Sequence, residues 1–263
     1  MSDFRGYEFN NNQPLVSVCL ASFNNSSYIE ETLNSIYNQD YSPIELIIVD
    51  DHSTDNAVAV IEEWISKKGV QAELISKDQN RGVCNSLNLL LSKAKGIYFT
   101  PFASDDLMKR ERISKLVEKI HNSNSNTAVV YSDAEFIDKN GFVIGYCFKG
   151  KQTKLIEGKI YLELVSGEFR FPTPSCLIRK EIYDIVGVYD ENLLAEDIDM
   201  WFRIAAKFEF TYLEEPLTAY RIHSTSLSKN AVNERTVHDK CLYYLKHVNA
   251  PVKKVRDISR KNV

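Results

Sequence analysis

Short apolar runs rich in β-branched residues recur through the first half of this chain. Each is separated from the next by a stretch with helical spacing, and that alternation constrains the fold more than any other feature. The runs are Val16 to Leu20, Leu46 to Val49, Ile97 to Phe99 and Ala128 to Tyr131, and they read as strands buried on both faces. Ile29, Leu33, Ile36 and Tyr37 share one helical face behind Ser26 or Ser27 as cap. Val58, Ile61, Trp64 and Ile65 share another behind Asp55. Leu87, Leu90, Leu91 and Ala94 form a third face before Gly96, and Ile113, Leu116, Val117 and Ile120 a fourth. Strand and helix in alternation specify an α/β fold with a mostly parallel central sheet flanked by helices.

After about residue 134 the alternation decays. Asp138 to Gly141 predicts a hairpin turn between Phe136-Ile137 and Phe142-Val143, so strands here are expected to pair antiparallel. A short helix near Tyr161 to Val165, a Pro-containing stretch from Phe171 to Pro174, and a helix carrying Ile198, Trp201, Phe202 and Ala205 follow. With neither repeat nor low-complexity linker, the reading is one domain over residues 1–228 and a basic, partly helical extension over 229–263.

Composition narrows the function classes. At 263 residues, 44% hydrophobic and 26% charged, the chain can bury a large core. No stretch nears the roughly 18 apolar residues of a membrane span, and Met1 to Gln13 lacks a signal-peptide pattern, so a cytoplasmic location is expected. Five cysteines without CxxC spacing indicate reduced, mostly buried thiols. A net charge of -4 argues against nucleic acid as partner. From Lys229 onward, however, nine Lys or Arg stand against three Asp or Glu. Leu242, Tyr243, Leu245 and Val248 with Lys240, Lys246, Lys253 and Lys254 read in two ways: a peripheral contact with an anionic membrane, or a solvated helix packed on the body or on a second subunit of a homodimer.

Ligands of open parallel sheets sit beyond the carboxyl ends of strands. Three of the runs lead into polar clusters there: Ala21-Ser22-Phe23-Asn24, Asp50 to Asp55, and Ser104-Asp105-Asp106. Singly, such segments are turn formers and helix caps, the role assigned to Asp55. Together they gather carboxylates that repel unless a cation sits among them. Mg²⁺ or Mn²⁺ shared with substrate phosphates meets that need. An ionised Asp also accepts the N3–H of uracil but finds no donor at N3 of cytosine.

At this point the chain resembles the family 2 glycosyltransferases. The landmarks are Val16 to Asn24, Glu45 to Asp55, Asn80-Arg81-Gly82, Ser104-Asp105-Asp106, Val186 to Asp190 leading to Glu196-Asp197-Ile198-Asp199-Met200-Trp201, and Tyr220-Arg221-Ile222-His223, in order over about residues 14 to 228. The resemblance implies a GT-A fold and an inverting sugar transfer from a nucleotide donor, UDP-linked, to a carbohydrate or lipid-linked acceptor. Ala21, Ser22, Phe23 and Asn24 then line the nucleotide pocket, with Phe23 against the base. Asp51 reads the uracil edge, and Asn80 and Gly82 shape the adjoining loop. Ala103, Ser104 and Asp105 stand where the family carries Asp-x-Asp, so the first carboxylate is missing. Asp105 becomes the principal metal ligand, with Ser104 or Asp106 replacing the lost contact and His223, in a Tyr-Arg-x-His-x-x-Ser pattern through Ser226, as a further metal ligand, a diphosphate contact or a structural residue. Leu87 stands where many relatives have an arginine, which leaves Arg81 or Arg221 to meet the diphosphate.

Asp197 matches the family's general base, and a carboxylate at a helix start has unpaired N–H groups to favour its charged form. On spacing alone it is equally an N-cap, as are Glu196 and Asp199. The acceptor side falls to Pro174 and Ser175, to Glu196, and to Trp201, which packs in the core or stacks on a sugar. No Gln-x-x-Arg-Trp follows, as in polymerising relatives, so a single addition is expected. The competing classes are a nucleotidyltransferase, for which the first loop lacks a Gly-rich basic phosphate cradle, and a nucleotide-sugar-binding scaffold with lapsed catalysis.

Overall fold

The computed structural model describes residues 13–151, 155–193, 196–224 and 234–263, without the side chains of 234–238. In chain order the described elements are β1 (Val16–Ser22), α1 (Ile29–Tyr37), β2 (Ile44–Asp50), α2 (Ala57–Lys68), β3 (Ala72–Ser76), α3 (Val83–Lys93), β4 (Tyr98–Ala103), β5 (Leu107–Met108), α4 (Arg112–His121), β6 (Thr127–Ile137), β7 (Val143–Tyr146), α5 (Tyr161–Ser166), β8 (Cys176–Arg179), α6 (Tyr183–Val186), α7 (Glu196–Ala205), β9 (Glu209–Arg221), α8 (Glu234–Leu245) and α9 (Lys253–Lys261). The strands form one sheet in the order β3-β2-β1-β4-β8-β6-β9-β5, with β7 paired to β6.

The first four strands of that order run parallel, as the alternation predicts. Beyond β4 the sheet is mixed: β8 is antiparallel to β4 and β6, β9 parallel to β6, and β5 antiparallel to β9. Period-two geometry sorts the side chains of β1. Val16, Val18 and Leu20 face a layer built from Leu33 and Ile36 of α1, Ile61 of α2 and Leu116 of α4. Cys19 faces the opposite layer, with Leu87, Leu90 and Leu91 of α3 and Phe202 of α7.

Two local expectations change. Neither Ser26 nor Ser27 caps α1; the amides of Tyr28 and Ile29 donate instead to the Asn25 carbonyl at 2.9 and 3.0 Å. Asp55 does act at the start of α2, accepting from the Ala57 amide at 3.0 Å. The predicted hairpin forms as read: the Gly141 amide donates to the Asp138 carbonyl at 3.0 Å, and the φ of +87° at Gly141 suits a residue without Cβ. All five cysteines are free, with Cys19, Cys84 and Cys176 buried. Ser226 lies outside the described residues.

The C-terminal helices turn apolar side chains toward the body. Tyr243, Tyr244, Ala250 and Val255 are buried in the same layer as α3 and α7. The Tyr244 hydroxyl donates to the Val165 carbonyl at 2.8 Å, and Lys246 bridges Asp190 and Asp199 at 2.7 Å each. His247 packs on Phe202 and shares a hydrogen bond with the Tyr161 hydroxyl. Burial pushes its pKa down to about 4. The unfolded imidazole, titrating near 6.5, therefore binds protons that the folded one refuses, and stability falls as pH drops from 6.5 toward 4, by at most about 3 kcal/mol. A melting-temperature series over that window should show the slope, and His247→Gln should flatten it; an unchanged slope in the variant would mean that other groups carry it.

Candidate functional site

The carboxyl ends of β1, β2 and β4 lie side by side, with Ser22 in register with Asp50 and Ala21 with Ala103. The three loops that leave them are interlocked by short polar side chains. The Asn24 amide donates to Ser53 Oγ at 2.8 Å, Asn24 Oδ1 accepts from the Thr54 amide at 2.8 Å, and the Ser26 amide donates to Asp55 at 2.8 Å. Asn25 Nδ2 donates to Ser104 Oγ at 2.9 Å. Asn24 and His52, each just past a strand end, hold φ of +53° and +64°. Such left-handed backbone costs about 1 kcal/mol or more at a non-glycine residue and persists where surrounding structure imposes it.

Asp50 and Asp51 do different work. Asp50 is buried and accepts from the Ser53 amide and hydroxyl at 2.8 and 2.6 Å, which folds its own loop. The Asp51 carboxylate accepts from the Lys77 ammonium and from the amides of Arg81 and Gly82 at 2.9 and 2.8 Å. It thereby shapes the 80–82 loop, aided by Asn80 Oδ1 accepting from the Gly82 amide at 3.2 Å. Gly82 has φ +85°, so glycine is needed where the loop turns into α3. Phe23 is 43% exposed beside this loop-bearing edge, Ala21 is half-buried, and Ser22 is buried with an unpartnered hydroxyl.

The third loop carries the acidic pair. Asp105 Oδ2 and His223 Nε2 stand 2.9 Å apart. Asp106 is buried: Oδ1 accepts from the Arg221 amide at 2.8 Å, while Oδ2 has no partner. Burial, then the charge of Asp105, pushes the Asp106 carboxyl well above the usual range. The Arg221 guanidinium is spent on structure. It donates to the Asp105 carbonyl at 2.8 Å and Glu31 at 2.6 Å, and lies over the Tyr28 ring at 4.8 Å. That leaves no free edge for a diphosphate, whereas Arg81 keeps a half-exposed side chain. Leu87 is buried in the core on α3. Ser104 is buried, its hydroxyl turned to Asn25 and its carbonyl to Thr32.

The donor set fits a divalent cation. A carboxylate oxygen beside an imidazole nitrogen, Asp105 Oδ2 and His223 Nε2 at 2.9 Å, is the kind of donor pair that would hold Mn²⁺. Among the described residues no group of three or more His, Cys, Asp or Glu side chains forms a metal cage, so further ligands must come from substrate or water.

Asp197 sits in the first turn of α7. Its Oδ1 accepts from the Ile198 amide at 2.7 Å and its Oδ2 from the Thr173 hydroxyl at 3.0 Å, and that hydroxyl in turn accepts from Trp201 Nε1 at 3.4 Å. Trp201 is buried against Phe171, ring centroids 4.9 Å apart, so it backs this chain of hydrogen bonds and does not face a cleft. Pro174 and Ser175 are likewise buried, and half-buried Thr173 takes the exposed place that sequence assigned to them. Glu196 is half-buried; desolvation and the adjacent Asp197 charge push its pKa up to about 8.

Two residues that sequence reasoning passed over organise this side. Thr173 lay within the stretch from Phe171 to Ser175 that sequence offered as a wall of the acceptor cleft, where Pro174 and Ser175 were singled out and Thr173 was not. Arg112, in the charged run Lys109-Arg110-Glu111-Arg112, carries no sequence signal distinguishing it from a solvated face. It is fully buried, and its guanidinium donates to the Pro174 carbonyl at 2.7 Å, the Cys176 carbonyl at 3.0 Å, Thr100 Oγ1 at 3.0 Å and Thr218 Oγ1 at 3.1 Å. Through it the turn bearing Thr173 is tied to β4, whose carboxyl end leads to Asp105 and Asp106.

Comparison with known proteins identifies the family and the fold. Residues 17–186 match the family model of glycosyl transferase family 2. An uncharacterized glycosyltransferase of Haemophilus influenzae is 27% identical over 260 residues, 94% of this chain and 80% of that protein. Another from Methanocaldococcus jannaschii is 32% identical over 214 residues, 80% and 71% of the two chains. Among solved structures, Staphylococcus aureus TarS 1-349 in complex with UDP-GlcNAc superposes with a TM-score of 0.72 at 18% identity, covering 95% of this chain and 71% of that one. A Pyrobaculum calidifontis mannosyltransferase in complex with GDP-Man and Mn²⁺ gives 0.69 at 19%, covering 94% and 68%. Both share the GT-A fold.

The raised pKa of Glu196 has a stability consequence. The folded chain keeps this proton up to about pH 8 while the unfolded chain releases it near 4.5, so stability declines as pH rises between those values. Glu196→Gln, a mimic of the protonated form, should lose that part of the decline in denaturant titrations at pH 5 and pH 8. Equal pH dependence in variant and parent would show that Glu196 ionises normally.

Proposed function

Because the chain belongs to glycosyl transferase family 2, we propose that it is an inverting, metal-assisted transferase. It moves a sugar from a uridine-linked nucleotide donor to a hydroxyl of a bacterial surface polysaccharide or lipid-linked oligosaccharide. The observation that carries the reading is the Asp197 carboxylate, set at a helix start and oriented by Thr173, on a turn that Arg112 ties to the strand leading into the Asp105–His223 pair. A catalytic base held by a third group is the arrangement such chemistry needs.

In this reading Phe23 lies against the base and Asp51 Oδ2, which accepts the Gly82 amide, offers its second lone pair to the uracil N3–H. The choice of uridine rests on Asp51, since of the two neighbours TarS is in complex with UDP-GlcNAc and the mannosyltransferase with GDP-Man. Asp105 and His223 would hold Mn²⁺ or Mg²⁺, with Asp106 alongside. When bound, the ion supplies positive charge to the diphosphate, which then needs no protonation to leave. Asp197 takes the proton from the acceptor hydroxyl as its oxygen attacks the anomeric carbon, while the nucleoside diphosphate departs from the opposite face and the configuration inverts. The acceptor approaches past Thr173 and Glu196, and residues 1–228 act as the catalytic unit, with 229–263 as its extension.

Two measurements test this. Asp197→Asn keeps shape and loses basicity, so turnover of whichever nucleotide sugar the parent uses should fall by about 10²-fold or more while donor affinity by calorimetry stays close to that of the parent; full-rate transfer would remove Asp197 from the chemistry. Adding Mn²⁺ with UDP should raise the melting temperature above that with UDP alone, and Asp105→Asn should abolish the metal-dependent part. A metal increment of the same size in the variant would place the ion elsewhere.

A further inference from the structure

The β6–β7 hairpin holds an apolar tip in solvent. Phe142 is 70% exposed, Val143 49% and Ile144 58%, three consecutive residues where the turn enters β7, the strand that pairs with β6 alone. Both legs are firmly anchored. Asp138 Oδ1 accepts from the amides of Asn140 and Phe142 at 2.9 Å each, which fixes the turn. The Asp133 carboxylate accepts from the amides of Phe148 and Lys149 at 2.9 Å each, which fixes the returning leg. Arg221 donates to the Asp138 and Lys139 carbonyls at 3.3 and 3.4 Å, so the turn of the hairpin and the Asp105 loop hang on one guanidinium. An anchored hairpin that spends its apolar side chains on water is unusual in a monomeric surface.

Its charge says what covers it. Lys139 lies in the turn, Lys149 sits over the Tyr146 ring at 4.8 Å, and Lys151 over the Phe136 ring at 5.3 Å. The acidic groups nearby are occupied: Asp138 by the turn amides, Glu135 by Lys109, Glu31 by Arg221. The hairpin therefore carries an apolar tip with one lysine in its turn and two more behind it on the returning leg, on a chain whose net charge is -4. Edge-to-edge pairing with a second copy would bring the same lysines of both copies together, whereas an anionic bilayer offers phosphates to the lysines and an apolar boundary to the three side chains.

We propose that this hairpin is a membrane-contact element: Phe142, Val143 and Ile144 enter the interface of an anionic bilayer while Lys139, Lys149 and Lys151 meet its headgroup phosphates. The hairpin turn shares the Arg221 guanidinium with the loop bearing Asp105, so the contact would set the candidate site beside the membrane surface. It needs no sugar transfer for its test, so it stands or falls separately from the transferase reading.

The experiment is flotation of the full chain with vesicles of phosphatidylcholine alone and of phosphatidylcholine mixed with phosphatidylglycerol. Binding should appear on the mixed vesicles and weaken with salt. Phe142→Ser, Val143→Ser and Ile144→Ser combined should cut the bound fraction at least about tenfold with an unchanged melting temperature, since the three side chains support no core. Phe142→Trp alone should give a blue-shifted emission on adding mixed vesicles. The proposal is overturned by a full chain that stays in the aqueous fraction with both vesicles, or by a triple variant that floats like its parent. It is equally overturned if the parent sediments as a dimer that the triple variant disperses, because the edge is then a subunit interface.

Discussion

One buried cation holds the two halves of the candidate site in register. Arg112 has no exposed surface, and burial pulls its pKa down to about 10. Removing so much water from a guanidinium is costly unless its N–H groups are met, and here they reach carbonyls and hydroxyls of β4, β8, β9 and the Thr173 turn. A shift of the turn relative to β4 would strand donors in the core, so satisfying one planar group fixes the Thr173 turn against β4.

The acidic residues then separate by environment. Asp50 and Asp51 are met by neighbouring donors and shape the loops around them, Asp51 keeping one Oδ2 lone pair open. Asp106 and Glu196 are pushed toward their neutral forms by burial and by the carboxylate beside each. Asp105 and Asp197 are the partners that do this pushing, the one facing His223 and the other Thr173. Two carboxyl pairs, each with one member disposed to hold a proton, thus mark the metal side and the proton-accepting side of the proposed reaction.

Legibility varied with the kind of element. The strands β1, β2, β4 and β6 stood out because both their faces are buried and their sequences are nearly unbroken apolar runs. β3 escaped because Ala72–Ser76 lies at the sheet edge, half-exposed, with Glu73 in its middle. β9 escaped because Glu214, Glu215 and Pro216 interrupt it; the register with β6 shifts around Ser132 to Ala134, where the proline has no amide to give. In the site, Asp105, Asp197 and His223 were readable as motif residues. Thr173, Lys77 and Arg112 were not, since each matters through a partner far away in sequence.

Local spacing was enough to specify the α/β class, the parallel opening of the sheet, the Asp138–Gly141 turn and the acids past the strand ends, because each depends on residues within one or two turns or strands of one another. Which acids are paired, protonated or left open, and whether Trp201, Pro174 and Ser175 face a ligand or the core, depended on contacts across tens of residues, such as the Asp105–His223 pair and the reach of Arg112 to Pro174. Burial and hydrogen-bond satisfaction are properties of the packed chain, and no window of sequence contains them.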